Sequence, residues 1–312
     1  MIEVKVPLKL TLFGEHAVVY GRPAIAYTIS EYLTIRFKES NKFYIKSDNL
    51  QIKGVKVNID EFKVENENIK RVLSYIIEAI NYFEAKKPVE IEIESPVEPS
   101  VGLGTSAGVV VGTVAGYSAY LGIELTNEEI AKISHEIELK VQGIASRMDT
   151  YTETFGGFIF IQGDKFEKIE SNLSFSGGYF KRIMTTAEML RRVKEMKEKR
   201  KELFETILDT IGKVTVEAKD ALSSNDKKSV GELMYINHGL LFSLGITVPQ
   251  IDEFISTARM AGTDGCKISG GGAGGAVVCT KDERAELLMN AMGGKVINAT
   301  PSFGGVRVKH LG

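Results

Sequence analysis

Three short stretches of the chain gather residue types that can act on a phosphate or an alcohol. In the first, Lys9 lies on an apolar segment that ends in Gly14-Glu15-His16, so a cation, a carboxylate and an imidazole meet at a strand end, where active sites commonly form. The second is Pro99-Ser100-Val101-Gly102-Leu103-Gly104-Thr105-Ser106-Ala107-Gly108, where glycines and small hydroxyls crowd a strand-to-helix junction. Glycine lets backbone N–H groups turn toward an anion, and the free N–H groups of a helix start continue that surface with the positive end of the helix dipole. This run reads as a phosphate cradle formed by Pro99, Val101, Gly102, Leu103, Gly104, Thr105, Ser106 and Ala107. It is not a Walker A loop, because no Lys follows its last glycine. The third stretch, Lys267-Ile268-Ser269-Gly270-Gly271-Gly272-Ala273-Gly274-Gly275, leads directly into the apolar strand Ala276-Val277-Val278-Cys279. So much glycine costs too much backbone entropy to be filler, and a flexible linker would not run at once into a buried strand.

The elements that must hold these stretches are legible in the periodicity. Strands are expected near Ile2–Val6, Leu8–Phe13, Ala24–Phe37 and Phe43–Ile52, and Val89–Glu94 alternates apolar and acidic residues as a half-buried strand does. Helical spacing covers Asn68–Phe83. From Glu98 to Glu124 no charged residue intervenes, which is long enough to span a bilayer. The opening Pro, the glycine turn, the internal Thr, Ser and Tyr, and the lack of flanking cations argue instead for a helix buried on all sides. Its glycines at 108, 112 and 116 would let it lie close to a sheet. Thr126-Asn127-Glu128-Glu129 reads as a capping box that opens a helix running to about Val141. A loop over Gly143–Thr150 and a strand at Gly157–Ile161 would close a first domain, 1–168. The remainder, 169–312, reads as α+β, with helices near Ala187–Ala221, Val230–Leu244 and Pro249–Ala261 and strands near Ala276 and Gly305.

Composition narrows the class. A chain of 312 residues can bury a large core and divide in two. With 39 basic and 41 acidic residues, the net charge of -2 gives no pull toward nucleic acid or membrane. The cationic run Arg191–Lys201 is interleaved with Glu and Met, as in a solvated amphipathic helix. Cys266 and Cys279 have no metal-ligand companions nearby and read as reduced, small apolar residues of a cytoplasmic protein. The charged N-terminus is not a secretory signal.

Taken together and in this order, the three glycine-bearing stretches resemble the motifs of the GHMP kinase superfamily, and the resemblance spans nearly the whole chain. Gly14-Glu15-His16-Ala17-Val18-Val19-Tyr20-Gly21-Arg22-Pro23-Ala24 is similar to the mevalonate kinase branch, as are Asn237-His238-Gly239-Leu240-Leu241 and Leu244-Gly245-Ile246. The resemblance implies a two-domain α+β fold with the active site in the cleft between domains. It implies ATP and Mg2+ as cofactors and phosphorylation of mevalonate to 5-phosphomevalonate, with no nucleic-acid or membrane partner and a homodimer as one assembly. Asp149 would be the base, with Lys9 beside it as compensating charge. Glu138, eleven residues before Asp149, and Ser106 would hold the metal, both being hard oxygen donors, while Glu136 leaves an alternative register on the same helix. Glu15, His16, Ser269, Gly270 and Gly271 would contact the substrate, and Lys181 and Arg182 would reach toward its anionic group. Another superfamily kinase, acting on phosphomevalonate or a different mevalonate hydroxyl, and a silent nucleotide- or RNA-binding module are the alternatives left open.

Overall fold

The computed structural model describes residues 1–47, 52–56, 67–98, 101–184, 186–272 and 274–312. Pro99, Ser100 and Ala273 therefore lie outside the described residues. The first layer is built on two long antiparallel strands, β1 (Ile2–Phe13) and β2 (Ala24–Glu39). β3 (Tyr44–Ser47) and β4 (Ile52–Lys56) follow, then α1 (Glu67–Tyr82), β5 (Val89–Glu94), α2 (Thr105–Tyr120), α3 (Asn127–Gln142), α4 (Met148–Phe155), β6 (Phe158–Gln162) and β7 (Lys165–Ile169). The second half contains β8 (Phe175–Phe180), α5 (Thr186–Lys199), α6 (Lys201–Ser223), α7 (Lys227–Ser243), α8 (Pro249–Met260), β9 (Cys266–Ile268), β10 (Gly275–Thr280), α9 (Glu283–Ala291), β11 (Lys295–Ile297) and β12 (Arg307–His310). The expected single helix over 187–221 is two helices, because the backbone at Arg200 leaves the helical region.

Among the described residues, the large sheet has the order β12-β1-β2-β5-β3-β4, with β6 also paired to β2 and β7 to β6. A second sheet, β11-β8-β10-β9, carries α7 to α9, while α6 packs on α7 and against β1, β2 and β7 of the large sheet. The last strand thus returns to the edge of the first sheet, pairing Ile2 with His310 through Lys5 with Arg307.

Helix α2 lies on β1 and β2 along its glycine stripe, as expected. A Cβ at Gly112 would sit 2.7 Å from Ile35 Cδ1, and one at Gly116 would sit 2.1 Å from Phe37 Cε2, so any side chain there would lift the helix off the sheet. Strand β1 is continuous where two strands were expected, but its register with β2 shifts between Pro7 and Lys9. In a regular strand residues 6 and 9 point to opposite faces. Here Val6 packs on Gly112 and the Lys9 stem on Gly104, both along α2, so β1 does not alternate regularly here; the extra residues of the shift, Ile29 to Glu31 opposite Leu8, lie on β2.

The cysteines are not reduced. Cys266 and Cys279 face each other in register on β9 and β10, with Cα atoms 4.0 Å apart, and form a disulfide. They lie 13 positions apart in sequence; only the antiparallel pairing brings them together.

Candidate active site

The cradle forms at the start of α2. Gly102 and Gly104 both adopt positive φ, and Gly104 is the N-cap. A glycine at 104 is required twice over: φ is +82°, and a Cβ would fall 2.2 Å from Glu153 Oε1. No acidic residue occupies the first turn of α2, so the first N–H groups and the dipole are available to an anion. Thr105 has a buried hydroxyl without a hydrogen-bond partner, while Ser106 is half-buried beside it. The Lys9 N–H donates to Leu103 O at 3.1 Å, which pins the cradle to β1. Behind it lies the third glycine stretch: a Cβ at Gly270 would approach Gly102 O to 3.1 Å, and one at Gly275 would approach Val101 O to 2.7 Å.

Lys9 is buried, 2% exposed, and its Nζ lies 2.7 Å from Asp149 Oδ1 while donating to Thr11 Oγ1 at 3.1 Å. Asp149 sits in the first turn of α4 rather than in the expected loop, a position the helix dipole favours for an acid. One turn later on the same helix face comes Glu153, wholly buried, with neither carboxyl oxygen hydrogen-bonded. The sequence predicts a loop over Gly143–Thr150 and no element for residues 151–156, so Glu153 has no role there; the i, i+4 spacing from Asp149 is the signal that a helix assignment exposes.

On α3 the register is settled by burial. Glu138 points inward, 5% exposed, and Glu136 faces solvent. Burial pushes the Glu138 carboxyl well above the ordinary range; the nearby Asp149 charge adds to this and Lys9 opposes it. Glu153 is raised for the same reasons in the same order, with a further contribution from Glu138. The pocket is therefore lined by carboxyls in excess of its one close cation.

His16 and Glu15 part company. His16 is half-buried with φ +60°, strained for a residue with a side chain, and its Nε2 lies 3.0 Å from Gly271 O. A carbonyl accepts only, so Nε2 carries the proton and donates, leaving Nδ1 as an acceptor when the ring is neutral. Burial lowers the His16 pKa, against the opposing effects of Gly271 O and Glu15. Glu15, expected at the substrate, is instead enclosed: Lys267 Nζ donates to its Oε1, and Asn237 Nδ2 donates to Oε2 at 3.1 Å. Ser269 is likewise buried, and its Oγ accepts from the Thr11 N–H at 2.8 Å. These two residues tie β1 and the following turn to β9 rather than facing a ligand. No role of its own is expected for Lys267 from the sequence. A lone Lys between Cys266 and Ile268 in an apolar strand was the sign of a buried pair.

Of the other candidates, Arg182 Nη2 donates to Gly272 O at 2.9 Å and so braces the glycine loop, while Lys181 is exposed. His238 bonds Asp252 through Nε2 at 3.1 Å inside the helical layer. The cations of α5 form i, i+4 pairs such as Arg191 with Glu195, as a solvated face does.

Comparison with known proteins gives the family. Family profiles described as GHMP kinases N terminal domain and GHMP kinases C terminal match residues 68–157 and 218–298. A mevalonate kinase of Saccharolobus solfataricus is 59% identical over 98% of this chain and 98% of its own length. The crystal structure of the Methanococcus jannaschii mevalonate kinase superposes with a TM-score of 0.81 at 33% identity, covering 97% of this chain and 98% of that one. At 22% identity, the L. major mevalonate kinase in complex with R-mevalonate shares the fold with a TM-score of 0.78 over 96% of this chain and 95% of that one. With its glycine cradle, the Lys9–Asp149 pair and both family domains present, the chain belongs to the GHMP kinases and, within them, to the mevalonate kinases.

Proposed function

We propose that the protein transfers the γ-phosphoryl group of ATP to the 5-hydroxyl of mevalonate, with Asp149 taking the hydroxyl proton. The observation that carries the reading is the Lys9–Asp149 contact of 2.7 Å, held at the mouth of a helix start stripped of acidic residues. Phosphoryl transfer asks a protein mainly to align an alcohol and neutralise charge on the phosphoryl oxygens. Asp149 provides the acceptor for the alcohol proton, and Lys9 compensates the charge that develops beside it. The N–H groups of the α2 start hold the phosphates, aided by the unpartnered Thr105 hydroxyl. His16, fixed through Nε2, offers Nδ1 to a substrate hydroxyl, and Gly271 helps aim it.

The residues fit a magnesium ion. Glu138 is a buried carboxyl with no ion-pair partner among the described residues, and its proton affinity is raised by burial. Ser106 supplies a hydroxyl at the helix start. No cluster of three or more His, Cys, Asp or Glu suited to a metal occurs among the described residues. One carboxylate and one hydroxyl suit an ion that keeps much of its water and takes its other ligands from ATP. When bound, magnesium would neutralise phosphate charge.

The test is a coupled ATPase assay with mevalonate, phosphomevalonate, homoserine and galactose, followed by 31P NMR of the product. Turnover with mevalonate alone, giving one 5-phosphomonoester, is expected. Turnover confined to another alcohol would refute the substrate assignment.

A further inference from the structure

Glu153 carries a large polar side chain in the site that the reaction as read above does not use. It is fully enclosed, and both oxygens lack a hydrogen-bond partner. Burying a carboxyl without partners is costly, so a position filled this way invites a functional reason. Its surroundings are specific. Glu153 Oε1, Lys9 Cγ and Lys9 Cε all lie within 3.1 Å of the point where a Gly104 Cβ would stand, and Oε2 lies 3.5 Å from the corresponding point at Gly108. The carboxyl therefore fills the corner between the Lys9 stem, the cradle turn and the first turn of α2. The charged groups that act on it are Asp149 on its own helix, Lys9 on β1 and Glu138 on α3.

We infer that Glu153 is a positioning residue for phosphoryl transfer: its carboxyl is the polar wall that confines Lys9 to the Asp149 side of the site and holds the Gly104 turn at its working distance. The inference rests on the reading of Lys9 and Asp149 as the reactive pair. Lys9 has three N–H donors; one faces Asp149 and one Thr11. The stem that carries them is bounded by Glu153 and Gly104, so an apolar side chain of the same volume strips the polar face from that side of the ammonium and lets it shift from Asp149. Burial and the neighbouring Asp149 favour the protonated carboxyl, which can donate as well as accept, and a primary amide shares both abilities.

The experiment compares Glu153→Met with Glu153→Gln in the full chain, measuring kcat, both KM values and Tm. Met keeps the volume but removes all polarity; Tm should rise by several degrees because an unpartnered buried carboxyl is gone. Its kcat should fall about ten- to a hundredfold, the size expected of a small misplacement of the reacting pair, with both KM values within about twofold. Glu153→Gln should recover kcat to within about threefold of the parent. A Met variant of parental kcat overturns the proposal, as does a Gln variant no better than Met. A loss of kcat that comes with lowered Tm and raised KM also overturns it, since that is the mark of packing alone. Asp149→Asn is assayed alongside. If it retains parental turnover, the reading of the reactive pair fails, whatever the Glu153 variants do.

Discussion

Lys267 and Glu15, 252 residues apart in the chain, form a buried ion pair, and Asn237 completes the Glu15 carboxylate from α7. The turn that carries His16 is thereby bolted to β9, the strand that opens the third glycine stretch. Burial pushes the Lys267 amine down, against the pull of Glu15 and with help from Lys9.

Breaking this pair from one side should be severe. Lys267→Met leaves a buried carboxylate without its cation and should cost about 3–5 kcal/mol of stability. Combining it with Glu15→Gln should cost less than the two single losses together. Urea denaturation of the four proteins measures this; strict additivity would show that the two side chains do not act as a pair.

Asp149→Asn preserves size while removing the charge and the ability to take a proton. Turnover should drop by about two to four decades, and substrate affinity should change far less. Lys9→Met should also lower turnover, and the double variant should fall short of the summed effect. Direct product formation is the measurement, and parental turnover in Asp149→Asn would leave positioning and charge neutralisation as the whole mechanism.

On the metal, Glu138→Gln and Ser106→Ala should each raise the magnesium concentration for half-maximal activity about tenfold or more, whereas Glu136→Gln should leave it alone. A magnesium titration at saturating ATP distinguishes them. A larger shift from Glu136 would contradict the inward register of Glu138.

The disulfide should contribute about 3 kcal/mol, as expected for a loop of this length. Replacing both Cys266 and Cys279 by Ala should lower Tm accordingly. Alkylation of the denatured, unreduced protein should label no thiol, and two labelled thiols would show the bridge to be absent.

Glu153 sets a pH dependence of stability. Its carboxyl holds a proton more tightly in the folded chain than the ordinary value of 4.5. The folded state therefore binds more protons than the unfolded one above that value. The stability this confers is fully present below 4.5 and is lost as pH rises toward the folded pKa. The unfolding free energy of the parent minus that of Glu153→Gln, measured without magnesium, should accordingly decline as pH rises above 4.5. A flat or rising difference would show that Glu153 titrates normally.

The sequence by itself determined the local chemistry. Gly102 and Gly104 before an uncharged apolar run specified a helix start free for an anion, because positive φ and a bare helix end are properties of a few adjacent residues. The alternation of Val89–Glu94 and the capping box at Thr126 were equally local, and Glu129 does reach back to Thr126. The family motifs named the reaction class for the same reason. Only the tertiary structure decided which polar residues stay partly open and which serve as internal bolts. Glu15 and His16 are neighbours in sequence, yet one is sealed against Lys267 and the other reaches Gly271. The choice rests on β9, folded from the far end of the chain. Likewise, the packing of Lys9 on Gly104, the register that joins Cys266 to Cys279, and the convergence of Glu153 on Gly104 are set by strand pairing and helix packing across long sequence separations. No window of adjacent residues contains those partners.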